Sequence, residues 1–375
     1  MDPSSEPSSA DFVSVVLVDD SSAIRGILRR ILESDPQIKI VASVSNGEMA
    51  IAAAQSRKPD IMILDIEMPV MDGLSALPGV MKESPGTKVI MCSSLTEKGA
   101  SVTMKAMALG AVECIVKPSS ALDTGPESAF QKNLFTLIKS LKPLRPLRDK
   151  APESAPSSSL SGVQKKDLHA GEAVSFKLRD DSTAYKGKPR IIAIGSSTGG
   201  PQALFTVIKN LKGLDMPIVV TQHMPETFTK TLTEHIQMQT GIPSFEALDD
   251  MLLEKGKVYV ARGGRHMLFE ARDTNTVIKL GDGAPENFCK PAVDPMLRSL
   301  VNIFGPKILS VILTGMGQDG LIGARMLVEK GGRVIAQDKE TSVVWGMPGA
   351  VAVNGLCSAV LPLNDIGPWV RRAAT

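Results

Sequence analysis

Two α/β domains, each built on a mainly parallel sheet wrapped by helices, are what this 375-residue sequence predicts. Three features point there. Short β-branched runs alternate with amphipathic stretches; a Pro- and Ser-rich break interrupts that alternation over residues 142–189; and the chain is longer than one core normally supports. With 43% hydrophobic, 22% charged and 4% aromatic residues, the composition is that of a globular α/β protein rather than a disordered one. Lys and Arg number 42 against 40 Asp and Glu, a net charge of +2, so no global pull toward nucleic acid or an anionic membrane is written here.

Residues 1–11 are rich in Ser, Pro and acids and lack the basic start and apolar stretch of a secretion signal. They are expected to form a disordered tail on a cytoplasmic protein, and no later run approaches bilayer length. The first domain is expected over 12–141, with strands at 14–18, 38–43, 61–64, 88–92 and 113–116 and helices over 24–33 and 48–57. Parallel strands need crossover connections, so helices should cover both faces. Pro78-Gly79 falls inside the third helix and is expected to shorten or kink it.

The strand ends of this domain gather chemistry. Asp19 and Asp20 end the first strand, Asp65 the third, Ser93 and Ser94 the fourth, and Lys117 the fifth. In a parallel sheet the carboxyl ends line the ligand crevice, so Asp19, Asp20 and Asp65 are candidate ligands for a hard divalent cation such as Mg²⁺. Asp65 is then a candidate phosphoryl acceptor, with Lys117 and a serine hydroxyl neutralising charge on the transferring oxygens. A single strand-end Asp would be unremarkable, but groups from four strands converge here.

The second domain, expected over 190–375, should carry strands at 190–195, 218–221, 257–261 and 308–313. Gly195-Ser196-Ser197-Thr198-Gly199-Gly200 follows the first of these and precedes Pro201, a residue suited to a first helical turn. The segment fits the Gly-x-Ser-x-Gly turn that exposes a nucleophilic serine, here Ser197. Of the four histidines, His169 lies in the break, His235 inside a helical stretch, and His266 after a glycine pair. His223 directly follows a strand, which puts it on the same sheet edge as Ser197 and makes it the candidate base. Asp319, in Thr314-Gly315-Met316-Gly317-Gln318-Asp319-Gly320, is the carboxylate placed to orient it; the order Ser, His, Asp differs from the Ser, Asp, His of ordinary lipases. The cysteines, Cys92, Cys114, Cys289 and Cys357, show no paired spacing and read as free thiols.

Two sets of motifs carry a resemblance. Val18-Asp19-Asp20, the run Leu64-Asp65-Ile66-Glu67-Met68-Pro69-Val70-Met71-Asp72-Gly73, Ser93 and Lys117-Pro118 resemble the receiver domain of response regulators, which implies a flavodoxin-like (βα)5 fold phosphorylated on Asp65. Cys114 stands where many receivers have an aromatic switch residue. Gly195 to Pro201, Gln222-His223-Met224-Pro225, Gly263 to Met267, Pro291 to Asp294, Thr314 to Gly320 and Val343 to Pro348 resemble the catalytic domain of chemotaxis protein-glutamate methylesterases. Arg262 replaces an expected Pro, and Lys290 an expected Arg. The resemblance implies a triad of Ser197, His223 and Asp319, with Thr198 and Met316 lining the site. It further implies Mg²⁺ for phosphorylation, no cofactor for the esterase, a chemotaxis histidine kinase as phosphodonor, and methylated chemoreceptor helices as substrate, with glutamine deamidation beside ester hydrolysis. A DNA-binding second half is the main rival, but no recognition helix with a basic face is evident. A silent receptor-binding module would leave the Ser, His and Asp set without purpose.

Overall fold

The computed structural model of the chain describes residues 12–93, 97–118, 128–142 and 176–375. The expected tail, Ser94, and residues 143–175 of the expected linker lie outside the described residues. Strands β1 Val13–Val18, β2 Ile38–Val44, β3 Ile61–Asp65, β4 Lys88–Ser93 and β5 Glu113–Val116 pair in parallel in the order β2-β1-β3-β4-β5. Around them lie α1 Ser22–Glu33, α2 Gly47–Arg57, α3 Gly73–Glu83, α4 Glu97–Ala108 and α5 Ala129–Ser140. The strand period of two divides the core. Val13, Val15 and Leu17 pack with α1 and α5, whereas Val16 and Val18 pack with α2, α3 and α4. Ser21, Asn46, Asp72 and Ser128 each accept the amide three residues on, which caps four of these helices.

The expected shortening at Pro78-Gly79 does not occur: α3 runs 11 residues, as long as α2. Proline removes one helical N–H, and packing on α2 outweighs that loss. Gly79 is part of the reason, since a Cβ there would sit 2.6 Å from Ile51 Cδ1 of α2.

The C-terminal domain is a seven-stranded, wholly parallel sheet in the order β14-β13-β12-β6-β7-β9-β8. Its strands are β6 Ile191–Ser196, β7 Ile218–Gln222, β8 Ser244–Glu246, β9 Val258–Val260, β12 Ile308–Ile312, β13 Arg333–Gln337 and β14 Ala359–Leu361, with β10 His266–Arg272 and β11 Asn275–Gly281 forming a separate antiparallel hairpin. The helices are α6 Gly200–Lys209, α7 Glu226–Thr240, α8 Val293–Phe304, α9 Leu321–Glu329, α10 Met347–Val353 and α11 Leu363–Ala374. The four strands read from the sequence are β6, β7, β9 and β12. Chain order reverses between β6 and β12, which creates the crevice where open α/β sheets bind ligands. Residues 176–189 lie against this domain: Arg179 N donates to Cys357 O at 2.9 Å and Tyr185 N to Gly331 O at 2.8 Å.

Candidate active site

In the N-terminal domain the strand-end acids converge as the sequence indicates. Asp19 and Asp65 are each 1% exposed, and carboxylate oxygens of Asp19, Asp20 and Asp65 lie within 4.8 Å of one another. Lys117 Nζ reaches Asp19 at 2.9 Å and Asp65 at 2.7 Å, and its amide bonds the carbonyl of buried Ser93. One ammonium against three carboxylates leaves this pocket short of positive charge, so the donor set fits a hard divalent cation. Burial, reinforced by the charge of Asp19, pushes the Asp65 carboxyl up to about 6 despite the bond from Lys117. Gly73 closes the loop after β3 onto Asp65: a Cβ there would fall 1.9 Å from the Asp65 carbonyl oxygen.

In the C-terminal domain, register decides the placement. Ser196 pairs with Gln222 across β6 and β7, so the next residue on each strand, Ser197 and His223, stands at the same level of the sheet edge. His223 N bonds Ser196 O at 3.1 Å. Gly199, at φ 76°, turns the chain into α6 in the left-handed region that glycine tolerates. His223 Nε2 donates to Asp319 Oδ2 at 2.7 Å. Asp319 is 1% exposed and accepts four further N–H groups: Val293 N at 2.5 Å, Asp294 N at 3.1 Å, Gly320 N at 2.9 Å and Asn287 Nδ2 at 3.1 Å. Two of those amides open α8, so a helix N-terminus faces the carboxylate. Burial alone would raise the Asp319 carboxyl; His223 and these amides outweigh it and hold the group below its ordinary range. Burial likewise works against charge on His223, but bonds to Asp319 and Cys289 prevail and raise the imidazole to about 9.

Several residues to which the sequence reading assigned no role build the surroundings. Gln222 Nε2 donates to the carbonyls of Ser197 at 2.9 Å and His223 at 3.1 Å, clamping the two loops together. Thr314 Oγ1 donates to Thr198 O at 2.9 Å and accepts from Val344 N at 3.0 Å. Cys289 Sγ lies 3.2 Å from His223 Nδ1. His266 accepts the Ala292 amide at Nδ1 and bonds Ala284 O through Nε2, which fixes its ring orientation as part of the structure. Arg262, at a departure from the expected motif, pairs with Glu226 at 2.5 Å. A cavity of about 1030 Å³, lined by Arg190, Pro217, Glu254 and Thr375, lies at the amino ends of the strands, away from this crevice.

The N-terminal domain covers the crevice mouth. Gly199 N donates to Val112 O at 3.0 Å, and Gln202 Nε2 donates to Met107 O at 2.7 Å and to Ala111 O. Glu113 of β5 hydrogen-bonds Thr198 beside Ser197, and burial raises its carboxyl despite that bond. Val344 and Met316 pack against the N-terminal cluster that contains Leu17 and Ile90.

Comparison with known proteins agrees with this division. The response regulator receiver domain profile matches residues 15–124, and the CheB methylesterase profile matches residues 192–370. The protein-glutamate methylesterase/protein-glutamine glutaminase 1 of Paramagnetospirillum magneticum is 48% identical over 97% of each chain. The corresponding protein of Azospirillum brasilense is 46% identical over 100% of this chain and 96% of its own. The crystal structure of the Thermotoga maritima CheB methylesterase catalytic domain, 41% identical, spans 50% of this chain and 99% of its own, with a TM-score of 0.48. A receiver domain joined to a carboxylic ester hydrolase is the class of protein defined here. The chain belongs to the protein-glutamate methylesterase/protein-glutamine glutaminase family. Residues 192–370 therefore do not form the DNA-binding half that the rival reading required. Among the described residues no helix is long and apolar enough to cross a membrane.

Proposed function

We propose that this chain hydrolyses glutamate γ-methyl esters on chemoreceptor helices, releasing methanol in chemotactic adaptation, and that phosphorylation of its receiver turns the activity on. Ser197 attacks the ester carbonyl; His223 takes the serine proton and returns it to the leaving methanol; water then hydrolyses the glutamyl-serine intermediate. Asp319 fixes the imidazole and stabilises its cation. Such a triad commonly contributes on the order of 10⁴ to 10⁶ in rate. Replacing methanol by ammonia as the leaving group gives glutamine deamidation by the same steps. The observation that carries this reading is the 2.7 Å bond from His223 to Asp319, one residue past the strand pair that delivers Ser197.

Control by the receiver is supported by what its β5 edge covers. Val112 O takes the Gly199 N–H beside the proposed nucleophile, and Glu113 binds Thr198, so the receiver lies against the rim of the site in this arrangement. Asp65 is the proposed phosphoryl acceptor, from a chemotaxis histidine kinase. Asp19, Asp20 and Asp65 would hold Mg²⁺, which when bound neutralises charge on the phosphoryl oxygens. Lys117, already bonded to Asp65, would neutralise charge on the same oxygens. A change of about 1.4 kcal/mol in the domain interface shifts a minor open population tenfold.

Methanol release from methylated receptor membranes, with and without a small-molecule phosphodonor and Mg²⁺, tests both halves. Release that rises with the donor in the wild type and vanishes in Ser197→Ala is expected. Full release from Ser197→Ala would overturn the assignment of the nucleophile, and equal stimulation of Asp65→Asn would overturn that of the acceptor.

A further inference from the structure

The thiol beside the catalytic imidazole has no role in the reaction just described. Cys289 is delivered by a two-residue turn in which Cys289 N donates to Glu286 O at 2.8 Å and Glu286 N to Cys289 O at 3.1 Å. Asn287 and Phe288 both take positive φ, 51° and 64°, as the central pair of a type I′ turn must. Neither is glycine, and the Phe288 side chain gains no burial in exchange, being fully exposed. The turn is anchored on the triad side: Asn287 Nδ2 bonds Asp319 at 3.1 Å and Asp294 at 3.2 Å, and Glu286 forms a two-pronged pair with Arg298 at 2.8 and 2.5 Å. One strained loop therefore touches the triad carboxylate with Asn287 and the triad imidazole with Cys289.

We propose that Cys289 is a positioning residue of the esterase, holding Nδ1 of His223 in competition with Ser197. The inference rests on the triad reading above. Nε2 of His223 is committed to Asp319, so Nδ1 is the nitrogen left to accept the serine proton. A ring nitrogen has one lone pair in the ring plane and accepts one well-directed hydrogen bond. In this structure that position belongs to Cys289 Sγ at 3.2 Å, and among the described residues no hydrogen bond joins Ser197 Oγ to His223. Thiol and hydroxyl thus compete for one site. The charged or titratable groups around His223 are Asp319 and Cys289 from two loops, with Asp294, Glu286 and Arg298 behind them and Glu113 across the domain interface. Removing Cys289 deletes a group that favours the imidazolium while leaving the Asp319 contact in place.

The test is methanol release by the unphosphorylated full chain as a function of pH, for wild type, Cys289→Ala and Cys289→Ser. A base must be unprotonated to act, so activity rises as pH climbs through the His223 titration. Cys289→Ala is expected to move that acid limb to lower pH, each unit of movement raising the rate on the limb about tenfold. Cys289→Ser, nearly isosteric, removes the sulfur that favours the imidazolium and is expected to move the limb in the same direction, while its hydroxyl still competes with Ser197 for Nδ1. It also serves if the alanine variant folds poorly. An acid limb that stays put in both variants, or a rate lowered in parallel at every pH, would overturn the proposal and leave Cys289 a packing residue. Adding Ser197→Ala to each background separates this from the parent reading: release surviving there breaks the triad itself, whereas an unmoved limb with release abolished breaks only the role of Cys289.

Discussion

The two domains put their chemistry at the same place in the sheet and make it from different material. In the receiver, the acids that meet are strand-end residues: Asp19 follows β1 directly and Asp65 is the last residue of β3. In the esterase, Ser197 and His223 stand one residue past their strands, but Asp319 lies seven residues past the end of β12, in a loop held by α8. The difference follows from what each site is proposed to do. A cation pocket needs concentrated negative charge with little angular precision, and rigid strand ends supply that. A proton relay needs one carboxylate oxygen aimed at one ring nitrogen, and five hydrogen bonds from three segments converge on Asp319 to aim it.

That contrast can be broken most severely at Asp319. Asp319→Asn keeps the shape but lets the amide select the wrong imidazole tautomer, and methanol release is expected to fall on the order of 10⁴-fold. A loss of tenfold or less would show that the hydrogen-bonded line matters little. At the domain boundary, Glu113→Ala removes the carboxyl that binds Thr198 and is expected to raise release without phosphodonor about tenfold, narrowing the gain from phosphorylation. Unchanged basal release would move the restraint elsewhere on the interface. The smallest effect concerns stability. Thr314→Val leaves the Thr198 carbonyl and the Val344 amide without their partner, and should lower the unfolding free energy of the C-terminal domain by about 1–3 kcal/mol, read by denaturant titration.

Legibility in the sequence follows the same division. Asp19, Asp65 and Lys117 terminate apolar runs, and a parallel sheet fixes which edge those ends share, so local pattern and topology sufficed. Ser197 and His223 were legible for the same reason. Asp319 was legible through its setting between glycines after a strand, although nothing in that local pattern points to the four amides that hold it. Gln222, Asn287 and Cys289 were not legible, because their roles depend on loops that come together only in the folded sheet: Cys289 meets a histidine 66 positions earlier. β8 and β14 are three residues each, as β9 is, but neither carries a β-branched and aromatic run such as Val258-Tyr259-Val260 that marked β9. Pro78 misled for the opposite reason. Its local propensity is unambiguous, and the packing of Gly79 against Ile51 overrode it.

β5 has a consequence of scale. At its start, Glu113 binds Thr198 beside the proposed nucleophile; just past its end, Lys117 grips the proposed phosphoryl acceptor. The strand between them is four residues long, about 13 Å at the usual rise. In the proposed control by phosphorylation it would be a short lever arm with one tip in each site. Whatever draws Lys117 toward a phosphorylated Asp65 would pull on the same segment whose other tip sits over the esterase, leaving the message one strand to cross.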